Sequence, residues 1–259
     1  MHTITLAVRI YRTSQIKYVT SVLKFKLEGL RCSLERVEAA PKKWIKVSFS
    51  GEDEDVALRY LAKEFALCPE NLKNLGKNVV VRGRISGVNS NGDKLYVDIG
   101  VFQPREVQAE IPIQQLQAQL ADGRKIALKK IVEIFGLCEN VPLTVKISDL
   151  ASDGSVKAML AEEQRANFGT WVKSLLDRLL VLGATEHEVR DALKHSGFAR
   201  DIVNVEQPGL LEHAVVCKLG TDAIGLIPKV GGNLRNASLV VFSPSKVVDF
   251  FGENFLDTF

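Results

Sequence analysis

The chain has 259 residues, 46% of them hydrophobic and 25% charged, with a formal net charge of +3; these are the proportions of an ordinary folded protein and too long a chain for a single typical domain. No apolar run approaches the roughly 20 residues of a membrane-spanning helix, and MHTITLAVRIYRTSQ lacks the layout of a secretory signal, so a cytoplasmic protein without membrane attachment is expected. Cys32, Cys68, Cys138 and Cys217 stand far apart with no CxxC or Cys-His cluster, which argues against a zinc site and against a disulfide framework.

Charge is unevenly spread. Residues 1–50 carry ten Lys/Arg against three Glu, a balance of +7, whereas residues 161–259 carry ten basic and thirteen acidic groups, a balance of −3. A polyanionic partner for the first part of the chain explains that skew; so does simple solvation of a helix and two strand faces.

Thr3 to Tyr11 alternates apolar and polar residues as a half-buried strand does. Ser14 to Leu30 places Ile16, Val19, Val22, Leu23 and Leu27 on one helix face, with Thr13 or Ser14 as N-cap. Strands follow at Cys32 to Ala39 and Trp44 to Ser50, divided by AAPKK, and the acidic EDED at 52–55 opens a second helix. The order β-α-β-β-α predicts a basic α+β sandwich over residues 1–75.

ALCPENLKNLG marks a boundary. Beyond it, Gly76 to Leu116 reads as two strands joined by the polar turn NSNGD, then a third strand from Arg105 to Ile113 ending in an Ile-Pro corner. Lys125 to Phe135 is helical by its apolar spacing, and Val141 to Ile147 and Val156 to Leu160 read as strands flanking a turn. Three strands, a helix and two strands is the element order of a five-stranded OB-fold barrel, placed at residues 76–160.

The residues Gly76, Gly83, Val97 to Gly100, Ile111 and Leu116 resemble the OB-fold repeats of ribosomal protein S-one type. The resemblance implies RNA or ribonucleoprotein binding, as in a translation- or ribosome-associated accessory factor. Two departures stand out: Asn91, Gly92 and Asp93 occupy the place of a base-stacking aromatic, leaving Tyr96 near the position of the second, and Pro112 replaces a His. The side chains that would carry RNA are Arg82, Arg84, Lys94, Tyr96, Phe102 and Arg105, with Lys42 and Lys43 from the basic segment. Arg82 and Arg84 are two apart on one strand and leave the same face. Their alternative reading is of solvated arginines beside core aromatics.

Ala161 to Leu182 has the longest helical pattern, with Phe168, Trp171, Val172, Leu175, Leu176, Leu179 and Leu182 on a broad face. Glu186 to His195 follows Thr185 and Glu188 in a capping-box layout, so a helical hairpin is expected over residues 161–200. Residues 201–259 then form a small α/β unit with strands in HAVVCKLG and ASLVVFSP. Gly220, Gly225, Gly231 and Gly232 suggest turns or close backbone approach; a glycine-rich loop can cradle a phosphate, but GTDAIG and VGGN fit neither the Walker spacing nor the dinucleotide fingerprint. The aromatic, acidic tail VVDFFGENFLDTF reads as a docking peptide or as a last helix.

The succession of barrel, helical unit and α/β unit is similar to that of translation initiation factor two alpha, and GTDAIGLIPKVGG resembles an archaeal family that brings no activity with it. No histidine has a carboxylate or cysteine partner at triad spacing; Asp98 as a general base is weighed against its place at the strand end that the barrel resemblance implies, and EDED as a magnesium site against a solvated helix start, the second reading being preferred in both cases. The expectation is a non-enzymatic binding protein without metal or cofactor. Its alternatives are a protein-interaction scaffold in transcription or translation that uses the barrel face and aromatic tail, and an enzyme working at the glycine-rich loops.

Overall fold

The computed structural model describes residues 1–252 and Phe255. The first segment follows the expected order: β1 (His2–Arg9), α1 (Gln15–Lys26), β2 (Cys32–Ala39), β3 (Trp44–Gly51) and α2 (Glu54–Phe65). The strands form an antiparallel sheet with β3 in the middle. Leu6 and Val8 of β1, Ile45, Val47 and Phe49 of β3, and Val19, Leu23, Ala57 and Leu61 of the helices close one core. Alternation sends Ala7 and Trp44 to the other side, where they pack with Cys68.

After the two-residue strand β4 (Glu70–Asn71) come β5 (Val80–Val88), β6 (Lys94–Gln103), β7 (Val107–Pro112), β8 (Pro142–Leu150) and β9 (Val156–Leu160). These last five close into a barrel, β5 pairing with β6 and β8, β6 with β7, and β8 with β9. The parallel pair β7 and β9 seals it. Ile85, Leu95, Val97, Ala109, Leu143 and Val145 fill the interior. Gly83 lies on the inner side of β5, where a Cβ would stand 2.5 Å from the Asp98 carbonyl oxygen, so the crossing strands leave room for no side chain.

Between β7 and β8 stand two helices, α3 (Ile113–Leu120) and α4 (Leu128–Phe135). Only the second is expected from sequence. Leu116 and Leu120 of α3 are buried one turn apart, an anchorage too short to register as a period amid four glutamines.

The expected helical hairpin at 161–200 is replaced by something different. Helix α5 (Glu162–Lys173) ends early, and Arg178–Leu182 is a strand, β10, every residue of which is buried. Helix α6 (Glu186–His195) follows, with the expected Thr185–Glu188 capping box. Then come β11 (Ile202–Gly209), β12 (Glu212–Cys217), α7 (Ala223–Gly231), β13 (Ser238–Phe242) and α8 (Pro244–Phe251). The antiparallel sheet runs β11-β12-β10-β13. Leu179 and Val181 face α6 and α7, while Leu180 and Leu182 face Phe135, Phe168, Phe242 and Phe251 on the barrel side. A strand covered on both faces needs no alternation, and its run of apolar residues reads as a continuation of the preceding helix.

Two further expectations change in the same region. Gly225 and Gly231 lie inside α7 and not in turns: Asp222 caps the helix by accepting from the Ile224 N–H, and Ala223, Leu226 and Val230 are buried at helical spacing, so packing overrides glycine's poor helix propensity. Strand β11 escapes notice because it is an edge strand, where Asn204, Gln207 and Pro208 are tolerated. The tail supplies α8, whose Phe251 is buried and stacks on Phe255 with ring centroids 4.1 Å apart. Residues 253–254 and 256–259 of the tail lie outside the described residues.

Candidate nucleic-acid interface

Strands β6 and β7 pair with Tyr96 opposite Glu110 and Asp98 opposite Gln108. Because Leu95, Val97, Ala109 and Ile111 point into the barrel, Tyr96, Gln108 and Glu110 point out. At one border of this outer face, Arg105 reaches the β8–β9 loop, where its Nη2 donates to the Asp153 carbonyl oxygen. At another, the turn Pro41–Lys43 places Lys42 3.2 Å from Glu106. Lys42, Tyr96 and Arg105 thus line one open cleft of about 380 Å³ with Gln108, Gly154 and Ser155.

Lys94 stands at the start of the same β6 face, 2.8 Å from Glu110, whose hydrogen bond holds the ammonium above its ordinary value. All three cations therefore already have acidic neighbours: Arg105, besides donating to the Asp153 carbonyl, is close enough for its charge to help hold the Asp153 carboxyl below its ordinary value, after the hydrogen bonds from Ser155. Phe102 lies farther along β6 in a neighbouring groove with Pro41, Lys46 and Gln103, partly packed against the cluster of Ala7, Trp44 and Cys68. Lys43 turns away and donates to the Tyr11 carbonyl oxygen at 3.0 Å.

Arg82 and Arg84 share a face as expected, but it is not an open one. Arg84 is 2% exposed. Its Nη2 donates to Glu212 Oε2 at 2.9 Å, and its Nη1 to the Tyr11 hydroxyl and the Asn140 carbonyl, both at 3.2 Å. Burial works to lower this guanidinium, but Glu212 and Tyr11 outweigh it and hold it above its usual value. Arg82, half-buried, donates to the Pro208 carbonyl oxygen, and burial followed by Arg84 pushes it down. The strand expected to present a basic stripe instead meets the C-terminal sheet.

Asp98 is spoken for in the same junction, accepting from Trp44 Nε1 at 3.2 Å and from the Gly100 N–H at 3.0 Å. Arg84 lies 5.7 Å from the centroid of the Trp44 ring. Of the histidines, His187 pairs with Asp191, His2 with Asp55, and His195 Nδ1 lies 2.7 Å from the Asp191 carbonyl oxygen. Among the described residues no group of three His, Cys, Asp or Glu is placed to hold a metal, and no helix is long and apolar enough to cross a membrane.

Gln108, Glu106, Glu110 and the Gly154–Ser155 turn complete the cleft and are not expected from sequence. The alternation in VQAEIP marks Gln108 and Glu110 as outward, but only barrel closure brings the β8–β9 loop beside Arg105.

Family models match most of the chain: an N-terminal domain at residues 3–70, a central domain at 70–172 and a C-terminal domain at 176–242, all of DUF2110. The chain belongs to the DUF2110 family. No curated protein sequence matches this DUF2110 chain. Among solved structures it is similar to a chain of the a/eIF2alpha–aDim2p–rRNA complex from Pyrococcus horikoshii OT3, at 12% identity over 48% of this chain and 64% of that one, with a TM-score of 0.26. It is also similar to a protein provisionally assigned as an exosome complex RNA-binding protein, at 10% identity over 69% of this chain and 94% of that one, again with a TM-score of 0.26. The first comes from a complex that contains rRNA and the second is RNA-binding by description; TM-scores of this size carry no shared fold or ligand.

Proposed function

We propose that this DUF2110 protein is a non-enzymatic binder of single-stranded RNA, free or within a ribonucleoprotein such as the ribosome, and that the barrel is of the OB type. One observation carries the reading: Lys42, Tyr96 and Arg105, from three separate stretches of sequence, line one cleft on the outer face of β6 and β7 beside the β8–β9 loop. In five-stranded barrels of this connectivity, the face of the second and third strands and the loop between the fourth and fifth are where oligonucleotides lie. Tyr96 offers a ring for one base, Gln108 an amide for a base edge, and Lys42 and Arg105 the charge for the backbone.

The test is binding of a fluorescent single-stranded RNA across a salt series. Affinity falls linearly on a log–log plot as salt rises, because phosphate neutralisation releases counterions. A flat response, or no binding at low salt, overturns the reading.

A second reading has its own observation. Glu106 and Glu110 already neighbour Lys42 and Lys94, which leaves a mixed-charge face of the kind that suits a protein partner. On that reading, a partner captured from extract stays bound after nuclease treatment.

A further inference from the structure

Outside the barrel, the two open sheets end in four edge strands among the described residues: β1, β2, β11 and β13. Three of them are protected against pairing with another chain. Strand β1 gives its outer side to residues 66–68: the Ala7 N–H donates to the Ala66 carbonyl oxygen at 3.0 Å, and the Cys68 N–H to the Thr5 carbonyl oxygen at 2.8 Å. Strand β2 carries Glu35, Arg36 and Glu38, and its register shifts between Leu34 and Arg36. Strand β11 is irregular in two places and contains Pro208. Covering segments, charges, bulges and proline are the usual means of keeping an edge from adding a strand.

Strand β13 has none of them. Its five residues, Ser238–Phe242, hold no charge and no proline, and they pair with β10 residue for residue without a shift. Among the described residues no backbone hydrogen bond reaches its outer side.

Both faces of the strand are covered. Leu239 and Val241 pack on the side of α6 and α7, and Val240 and Phe242 on the barrel side. Leu239, Val240 and Val241 nevertheless stay partly exposed, whereas every residue of the neighbouring β10 is buried. With the faces closed, the exposure comes from the open edge. The chain around it is also poor in charge: residues 219–245 include Asp222, Lys229 and Arg235 and no other charged group, three in 27 against 25% for the whole chain.

An edge of this kind is complementary to itself. When two copies of a strand pair antiparallel about a two-fold axis at one residue, that residue faces its own copy and each side chain stays on its own face of the sheet. With the axis at Val240, the middle of β13, all five residues are paired: Leu239 meets the partner's Val241, and Ser238 the partner's Phe242. No like charges are opposed in that ladder.

We propose that two copies of this chain associate through β13, strand against strand with the two-fold axis at Val240, joining their C-terminal sheets into one of eight strands. The occupant is a second copy because each copy brings the same unprotected edge and the pairing consumes both at once. The assembly closes at two, since β11 at the far end of each sheet is bulged and carries proline.

Sedimentation equilibrium of the full chain over a range of concentrations tests this. The mass rises from the 28.6 kDa of one chain towards twice that value and no further. Val240→Lys sets two ammonium groups face to face at the axis and holds the mass at that of one chain, while in the single chain the introduced ammonium reaches solvent from the open edge. Val240→Cys, mildly oxidised, gives a disulfide-linked dimer, because directly opposed residues of an antiparallel pair lie about 4.5–5.5 Å apart at Cα, within disulfide reach. Ser238→Cys cross-links no more than the unaltered chain, since the two copies of residue 238 stand about 14 Å apart along the ladder. If Val240→Lys does not fold, the two cysteine variants decide. A single-chain mass at every concentration up to about 100 µM overturns the proposal and leaves the edge to a different partner. Association beyond two copies, a dimer that survives in folded Val240→Lys, or cross-linking of Ser238→Cys as readily as of Val240→Cys overturns it equally.

Discussion

Arg84 and Glu212 meet at 2.8 Å with side chains 3% and 0% exposed, one on the first strand of the barrel and the other on the C-terminal sheet. Tyr11 from the first segment joins them through its hydroxyl. Three sequence-distant segments are thus tied at one buried charge pair, and removing either partner strands the other charge away from water. Arg84→Met or Glu212→Leu alone is expected to cost about 3–5 kcal/mol, a fall of roughly 6–20 °C in melting temperature. The double variant, which leaves no orphaned charge, costs much less. Calorimetry on the three variants checks the order.

Gly209 belongs to the same junction. A Cβ there would stand 1.9 Å from Glu212 Oε2. Gly209→Ala is therefore expected to dislodge the Glu212 carboxylate and to destabilise the protein comparably to Glu212→Leu. In the Glu212→Leu background its added effect shrinks, and denaturant midpoints of the two singles and the double give that coupling.

On the barrel face, Tyr96→Ala is expected to weaken single-stranded RNA binding by about 1–3 kcal/mol, roughly 5- to 150-fold. Lys42→Ala and Arg105→Ala each lower the slope of log affinity against log salt by about 0.7 if each contacts one phosphate. Fluorescence anisotropy at several salt concentrations separates the two effects.

Stability should depend on pH through His213. Its folded value lies below the ordinary 6.5, chiefly from burial. Between that lowered value and 6.5 the unfolded chain binds the proton and the folded chain does not. Stability therefore falls as pH drops below about 6.5 and levels off above it. Urea midpoints at pH 5.5 and 7.5 show the difference, and His213→Gln reduces it.

The thiols give an independent check on packing. Burial pushes Cys217 up to about 11 and raises Cys68 as well, and both are buried. Neither should react with a thiol reagent at pH 8 until the protein unfolds, whereas Cys32 and Cys138, only partly buried, react first. Peptide mapping after timed labelling identifies which have reacted.

Much of the architecture is legible in sequence where one face of an element is wet. Strand β1, helix α2 and the β5–β6 hairpin with its NSNGD turn carry periodicities that water enforces. Legibility fails where water is excluded: β10 lacks alternation because both its faces are covered, and α7 carries two glycines because Leu226 and Val230 are held by the sheet. The candidate site divides the same way. Tyr96 announces itself as an aromatic residue at an outward position of β6, and Arg105 as a basic residue in the bend that follows that strand. Arg84 looks the same in sequence as an exposed arginine, and only its partner 128 residues away reveals that it is buried.

Strand β10 bears on how the protein comes apart. Its outer side holds α6 and α7, and its inner side holds the phenylalanines packed beneath the barrel. A cut between the family's central and C-terminal segments lays that surface open, so a fragment ending near residue 172 would present Phe135 and Phe168 to solvent. The central and C-terminal segments are accordingly expected to unfold together, and a fragment of residues 70–252 should show coincident calorimetric and van't Hoff enthalpies of unfolding.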